Sequence, residues 1–84
     1  MNRKERIFEE LTKKLQPEFL QIDNNSNQHS GHLGDDGTGE THFLVTIKSA
    51  KLKEFNRIKS HRIINEILQS EFKNGLHALE IKIM

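Results

Sequence analysis

The run Ile63-Ile64-Asn65-Glu66-Ile67-Leu68-Gln69-Ser70-Glu71-Phe72-Lys73-Asn74-Gly75-Leu76-His77-Ala78-Leu79-Glu80-Ile81-Lys82-Ile83 changes its apolar period midway, and that change decides the fold. Upstream of Asn74-Gly75, the apolar residues Ile63, Ile64, Ile67, Leu68 and Phe72 recur at helical spacing, which predicts a long helix over about Lys59 to Phe72. Downstream, Leu79, Ile81 and Ile83 alternate with Ala78, Glu80 and Lys82, the period of a half-buried strand. Asn74-Gly75 supplies the helix stop between them. A strand that follows a helix reaches its sheet by a crossover, so it is expected to pair parallel to a neighbour. His77 shares the parity of Leu79 and is expected on the buried face, at the mouth of this strand.

Working towards the N-terminus, residues 49–60 are basic and irregular, with a helical turn expected near Leu52 to Phe55. Phe43, Val45 and Ile47 alternate with His42, Leu44, Thr46 and Lys48, so Glu40 to Lys48 reads as a strand with one buried face. Asp23 to Gly39 is a long loop of Asn, Ser, Gly, Asp and His, and loops of that length in small domains are usually functional or mobile. Phe19-Leu20-Gln21-Ile22 is a short strand. Ile7, Phe8, Leu11 and Leu15 mark a first helix, Arg3 to Leu15, that stops before Pro17. The expected class is α+β, with α-β-β-α-α-β order and a three-stranded mixed sheet carrying its helices on one face. Residues 1–84 read as one domain.

Composition sets limits on function. With 84 residues and 33% hydrophobic content, the chain can bury one modest core. A formal net charge of +1 gives no global attraction to nucleic acid, so any such case rests on local charge. The absence of cysteine removes disulfides and thiol redox chemistry. No apolar run approaches the roughly 20 residues of a membrane span. The charged start Met1-Asn2-Arg3-Lys4-Glu5-Arg6 lacks the apolar segment of a signal peptide. A cytoplasmic protein with no membrane partner is therefore expected. No nucleophile is paired with a base and no phosphate-binding fingerprint is present, so an enzyme is not expected.

Two groups of residues bear chemistry. His29 lies in the loop, and His77 opens the last strand. A loop and a strand mouth can meet at one rim of a sheet, where two neutral imidazoles would make a soft-metal ligand pair. The bland reading is a solvated loop histidine and a hydrogen-bonded strand-end histidine, and spacing alone favours it. His32 stands three residues past His29, His42 reads as a solvent-side or inter-strand packing residue, and His61 is placed in the first turn of the long helix. The second group is the basic stretch Lys51, Lys53, Arg57, Lys59 and Arg62, which reads equally as a phosphate-binding surface or a solvated face. Gly34-Asp35-Asp36-Gly37 has the letters of a KH-domain GxxG, but it joins two strands and its aspartates would repel phosphate. Asp23 to Gly34 fails as a calcium loop, with Gln28 and Gly34 where glycine and glutamate are needed.

Taken together, Glu40-Thr41-His42-Phe43 after a His/Gly loop, His61-Arg62 in a helix start, and Gly75-Leu76-His77-Ala78-Leu79 resemble the BolA family over nearly the whole chain. The resemblance implies a type II KH-like fold without a working GxxG loop. It also implies partnership with a monothiol glutaredoxin. The pair would hold a glutathione-ligated [2Fe–2S] cluster used in iron–sulfur trafficking or iron regulation. The family pattern carries the strand-opening ligand to His77 and the loop ligand to His29, with His32 as the alternative. It implies no cluster on the isolated chain, which would be a monomer or weak homodimer. Some family members act as DNA-binding regulators through the region that is residues 51–62 here. Ser60 and Glu54 depart from the family's usual arginine and glycine there, and Asn65 from its tyrosine, which weakens that expectation.

Overall fold

The computed structural model describes residues 1–26 and 39–84. Its elements are α1 (Arg3–Leu15), β1 (Phe19–Asn24), β2 (His42–Lys48), a 3-10 turn (Ala50–Leu52), α2 (Arg57–Ile67), α3 (Gln69–Lys73) and β3 (Ala78–Ile83). Helix α1 starts where Asn2 caps it, its Oδ1 accepting from the Glu5 N–H at 2.9 Å. It ends at Gln16, whose left-handed φ of 44° turns the chain ahead of Pro17. Arg3, Ile7, Leu11 and Leu15 form its buried stripe. Phe8, one of the apolar residues that mark the helix in the sequence, lies off that stripe and is 47% exposed.

The sheet order is β1-β2-β3. β1 runs antiparallel to β2, with Leu20 opposite Ile47 and Ile22 opposite Val45. β3 runs parallel to β2, with Phe43 beside Leu79 and Val45 beside Ile81, so the parallel crossover expected from the helix-to-strand sequence is present. The inward residues Leu20, Ile22, Phe43, Val45, Ile47, Leu79, Ile81 and Ile83 join Ile7, Leu11, Ile64, Leu68 and Leu76 in one core between sheet and helices. On the opposite face β3 presents Ala78, Glu80 and Lys82 to solvent.

The long helix expected over residues 59–72 is two helices. It begins earlier, at Arg57, because the Asn56 Oδ1 caps it by accepting from the Lys59 N–H at 2.8 Å. His61 is therefore in the second turn and not the first. The helix breaks at Leu68, where ψ swings to 15°. In an unbroken helix Phe72 would stack below Leu68. Here Glu71 is buried and Phe72 is half-buried. Glu71 follows Ile64, Ile67 and Leu68 on the inward face, and Phe72 is the residue that the break leaves at the margin of the core. Gly75, at φ 116°, then carries the chain through the turn into β3.

Candidate functional site

The mouth of the β2–β3 pair gathers the chemistry. Thr41, fully buried, precedes β2, and its carbonyl accepts from both the His77 N–H (2.9 Å) and the Ala78 N–H (3.1 Å). The parallel ladder thus opens on Thr41, and the exposed His77 is anchored by its backbone with its ring at the surface. Its parity with Leu79 does not bury it, because β3 begins only at Ala78 and His77 lies just outside the sheet. The ring of His42 lies 5.4 Å from that of His77, centroid to centroid, tilted by 49°. His42 is only 8% exposed, which corrects its solvent-side reading and leaves the inter-strand packing one. Its Nδ1 lies 2.8 Å from the Thr41 hydroxyl, a contact that fixes the ring orientation. A cleft of about 130 Å³ beside it is lined by Asn25, His42, Phe43, Ala78 and Glu80.

Ser26 closes the other side. Its buried hydroxyl accepts from the Thr41 N–H (2.9 Å) and the His42 N–H (3.1 Å). The Asn25 N–H reaches the His42 carbonyl at 2.8 Å, and the Asn24 side-chain amide donates to the Gly39 carbonyl at 2.8 Å. Ser26 and Gly39, the described residues flanking 27–38, are therefore both tied to the rim on which His77 sits. His29 and His32 lie outside the described residues, as does Gly34-Asp35-Asp36-Gly37. Among the described residues no group of three or more His, Cys, Asp or Glu side chains could hold a metal ion.

A buried ionic hub backs the rim. Arg3 is 5% exposed, and its Nε donates to Glu71 Oε1 at 3.0 Å. Its Nη1 donates to the Glu40 carbonyl and its Nη2 to the Asn74 carbonyl at 2.6 Å. Arg6 grips the same carboxylate, Nε to Oε2 at 2.8 Å and Nη2 to Oε1 at 3.0 Å. The Arg6 hydrogen bond, seconded by Arg3, holds the Glu71 carboxyl below the usual carboxylate range against the opposing effect of burial. Sequence reading missed this hub, although two of its three members, Arg3 and Glu71, gave a signal. Arg3 stands four residues before Ile7 on the apolar stripe of α1, and Glu71 three residues after Leu68 on that of the second helical region.

The basic residues occupy a different surface. Lys51 lies in the 3-10 turn, Lys53 caps it, and Arg57, Lys59 and Arg62 project from the start of α2, all five exposed. The Lys59 ammonium sits 5.2 Å from the ring centroid of Phe55. Lys59 and Arg62 border a shallow groove of about 420 Å³ shared with Ile58 and Glu66. Among the described residues no helix is long and apolar enough to cross a membrane.

Known proteins share this architecture. The chain is 44% identical over 82 residues to the chloroplastic protein BOLA1 of Arabidopsis thaliana, covering 95% of this chain and 51% of that protein. The solved structure of BolA1 from Arabidopsis thaliana superposes with a TM-score of 0.88 at 42% identity, covering 99% of this chain and 90% of that one. SufE-like protein 1 of the same plant is 45% identical over 82 residues, which cover 90% of this chain but 22% of that protein. The chain thus matches one portion of each of those two full-length proteins. The DNA-binding transcriptional regulator BolA of Vibrio cholerae is 36% identical over 75 residues, covering 89% of this chain and 67% of the regulator. The family model, the BOLA1 protein and the Vibrio cholerae protein carry BolA-like or regulator names, and none of these three indicates an enzyme family. The sequence model of the BolA-like protein family matches residues 11–84, more than half of the chain, and the chain belongs to that family.

Proposed function

We propose that this chain docks on a monothiol glutaredoxin and contributes His77, with His29 or alternatively His32, to a glutathione-ligated [2Fe–2S] cluster held by the pair. The cluster is cargo, in iron–sulfur trafficking or iron regulation, and the cytoplasm is the proposed compartment. One observation carries the reading. His77 is exposed at the sheet mouth while its backbone is fixed to Thr41, and Ser26 and Gly39, which flank the segment bearing His29 and His32, are tied to the same rim. The donor set fits a partial shell. The chain offers imidazoles and no thiolate, so a partner must supply the thiolates, and no described cluster of side chains competes for the metal. A cluster so ligated would have a higher reduction potential than one held by thiolates alone, because imidazole is neutral. The chain's own part is to hold an imidazole at a fixed edge and to keep the neighbouring backbone satisfied.

The test is visible absorption and circular dichroism of a [2Fe–2S]-loaded monothiol glutaredoxin with glutathione, titrated with this protein. The expected result is a change in the cluster bands that saturates at equimolar protein and is lost in His77→Ala. Parallel His29→Ala and His32→Ala variants identify the loop ligand. Bands unaltered by the wild-type chain would remove cluster sharing with that partner.

A second reading, a DNA-binding regulator, is favoured by the shared exposure of Lys51, Lys53, Arg57, Lys59 and Arg62 and by the name of the Vibrio cholerae relative. It requires affinity for duplex DNA that falls steeply as salt rises. Glu54 and Glu66 beside these cations weaken it.

A further inference from the structure

We infer that Arg3 is the positioning residue of the histidine rim, an inference that rests on the proposed role of His77. An arginine in the first turn of a helix opposes the helix dipole, and a buried one forfeits its hydration. Arg3 does both. What it obtains is geometric. One guanidinium joins three segments distant in sequence: the start of α1, the residue before Thr41, and the turn into β3.

The connections converge on His77. The Glu40 carbonyl, which Arg3 Nη1 binds, belongs to the peptide joining Glu40 to Thr41, the residue whose own carbonyl receives the His77 and Ala78 N–H groups. The Arg3 N–H also donates to Glu40 Oε1 at 2.8 Å, so both ends of Glu40 are held. The Asn74 carbonyl, bound by Nη2, lies in the turn that delivers Leu76 and His77. Glu71 orients the guanidinium through Nε, and the Glu71 carbonyl accepts from the Leu76 N–H at 2.9 Å. The planar fork of arginine is needed, because a lysine ammonium has no rigid set of donors to span a carboxylate and two carbonyls. Arg6 serves as an internal contrast. It shares Glu71 and feels the Glu40 charge, but its hydrogen bonds run to the Glu71 carboxylate and, from Nη1, to the Met1 carbonyl at 2.9 Å.

The experiment compares Arg3→Met, Arg3→Lys and Arg6→Met by amide hydrogen exchange, with Val45 and Ile47 as the reference for global opening. Exchange at His77 and Ala78 should rise about tenfold or more beyond that reference in both Arg3 variants, as expected when charge-assisted hydrogen bonds are lost locally. In Arg6→Met those two amides should move only with the reference. If Arg3→Met does not fold, Arg3→Lys against Arg6→Met decides the matter alone. Exchange at His77 and Ala78 that merely tracks the reference in the Arg3 variants would overturn the inference. A second arm titrates the folded variants into the cluster-loaded glutaredoxin, where Arg3→Lys should give weaker visible dichroism changes than Arg6→Met. If the wild-type chain produces no such changes, the cluster reading fails. The exchange arm still decides whether Arg3 positions the rim.

Discussion

Ser26 has one hydroxyl and three backbone neighbours at the rim. It accepts from the N–H groups of Thr41 and His42 and lies 3.4 Å from the His42 carbonyl. Ser26→Ala leaves two buried N–H donors without that acceptor, and the expected cost is about 1–3 kcal/mol. Urea unfolding measures it, and a loss below about 0.5 kcal/mol would show that the site repairs itself. Glu71 governs the acid limb of stability. Its folded-state carboxyl is depressed, chiefly by Arg6, so its contribution is full above the unfolded-chain value of about 4.3. That contribution is lost as pH falls through the lower folded value. Glu71→Gln should therefore flatten the fall in unfolding midpoint below about pH 4, while lowering stability at neutral pH. An unchanged acid limb would assign acid sensitivity to other carboxylates. At this scale the sequence marked Arg3 and Glu71 as charges on apolar stripes. It gave no sign that residues 68 positions apart were partners.

The elements were legible where apolar period and capping agree. α1 spans the residues its pattern predicts, with Asn2 before it and Pro17 after it. β3 follows from the alternation that begins after Gly75. The second helical region departs from what its apolar pattern predicts at its start and at Leu68. Asn56 is a good cap letter, but the apolar repeat that marks the helix begins only at Ile63, and the break at Leu68 leaves the apolar pattern intact. Asn56→Ala should cost about 1 kcal/mol. That corresponds to a Tm lower by about 4–8 °C in a domain of this size, read by calorimetry. An unchanged Tm would mean that the 3-10 turn and the Phe55 region alone fix the start of α2. The same start carries Arg57, Lys59 and Arg62, so the cap also decides how the basic surface is presented.

At the scale of the whole molecule, the described residues form one layer of helices on one sheet, around a single small core. Leu11 is fully buried where α1 meets the sheet. Leu11→Ala should cost about 2–5 kcal/mol, a large share of the stability of a small domain. Denaturant unfolding checks it, and a loss under about 1 kcal/mol would show that α1 re-seats on the sheet.

By itself the sequence determined the periods, and through them the elements, the inward face of each strand and the parallel entry of β3. These are properties of neighbouring residues and need no knowledge of distant ones. It also bore the letters of the family, and with them His77 as a candidate ligand. Tertiary structure alone decided which residues meet: His42 against His77, Ser26 against Thr41, Arg3 against Glu71 and the carbonyls of Glu40 and Asn74. The physical reason is register. A slip of one residue between β2 and β3 would exchange inward for outward side chains and carry His77 away from Thr41, and nothing within either strand sets that alignment. It is set by the packing of helices on the sheet and by a buried arginine that holds both strand entrances at once.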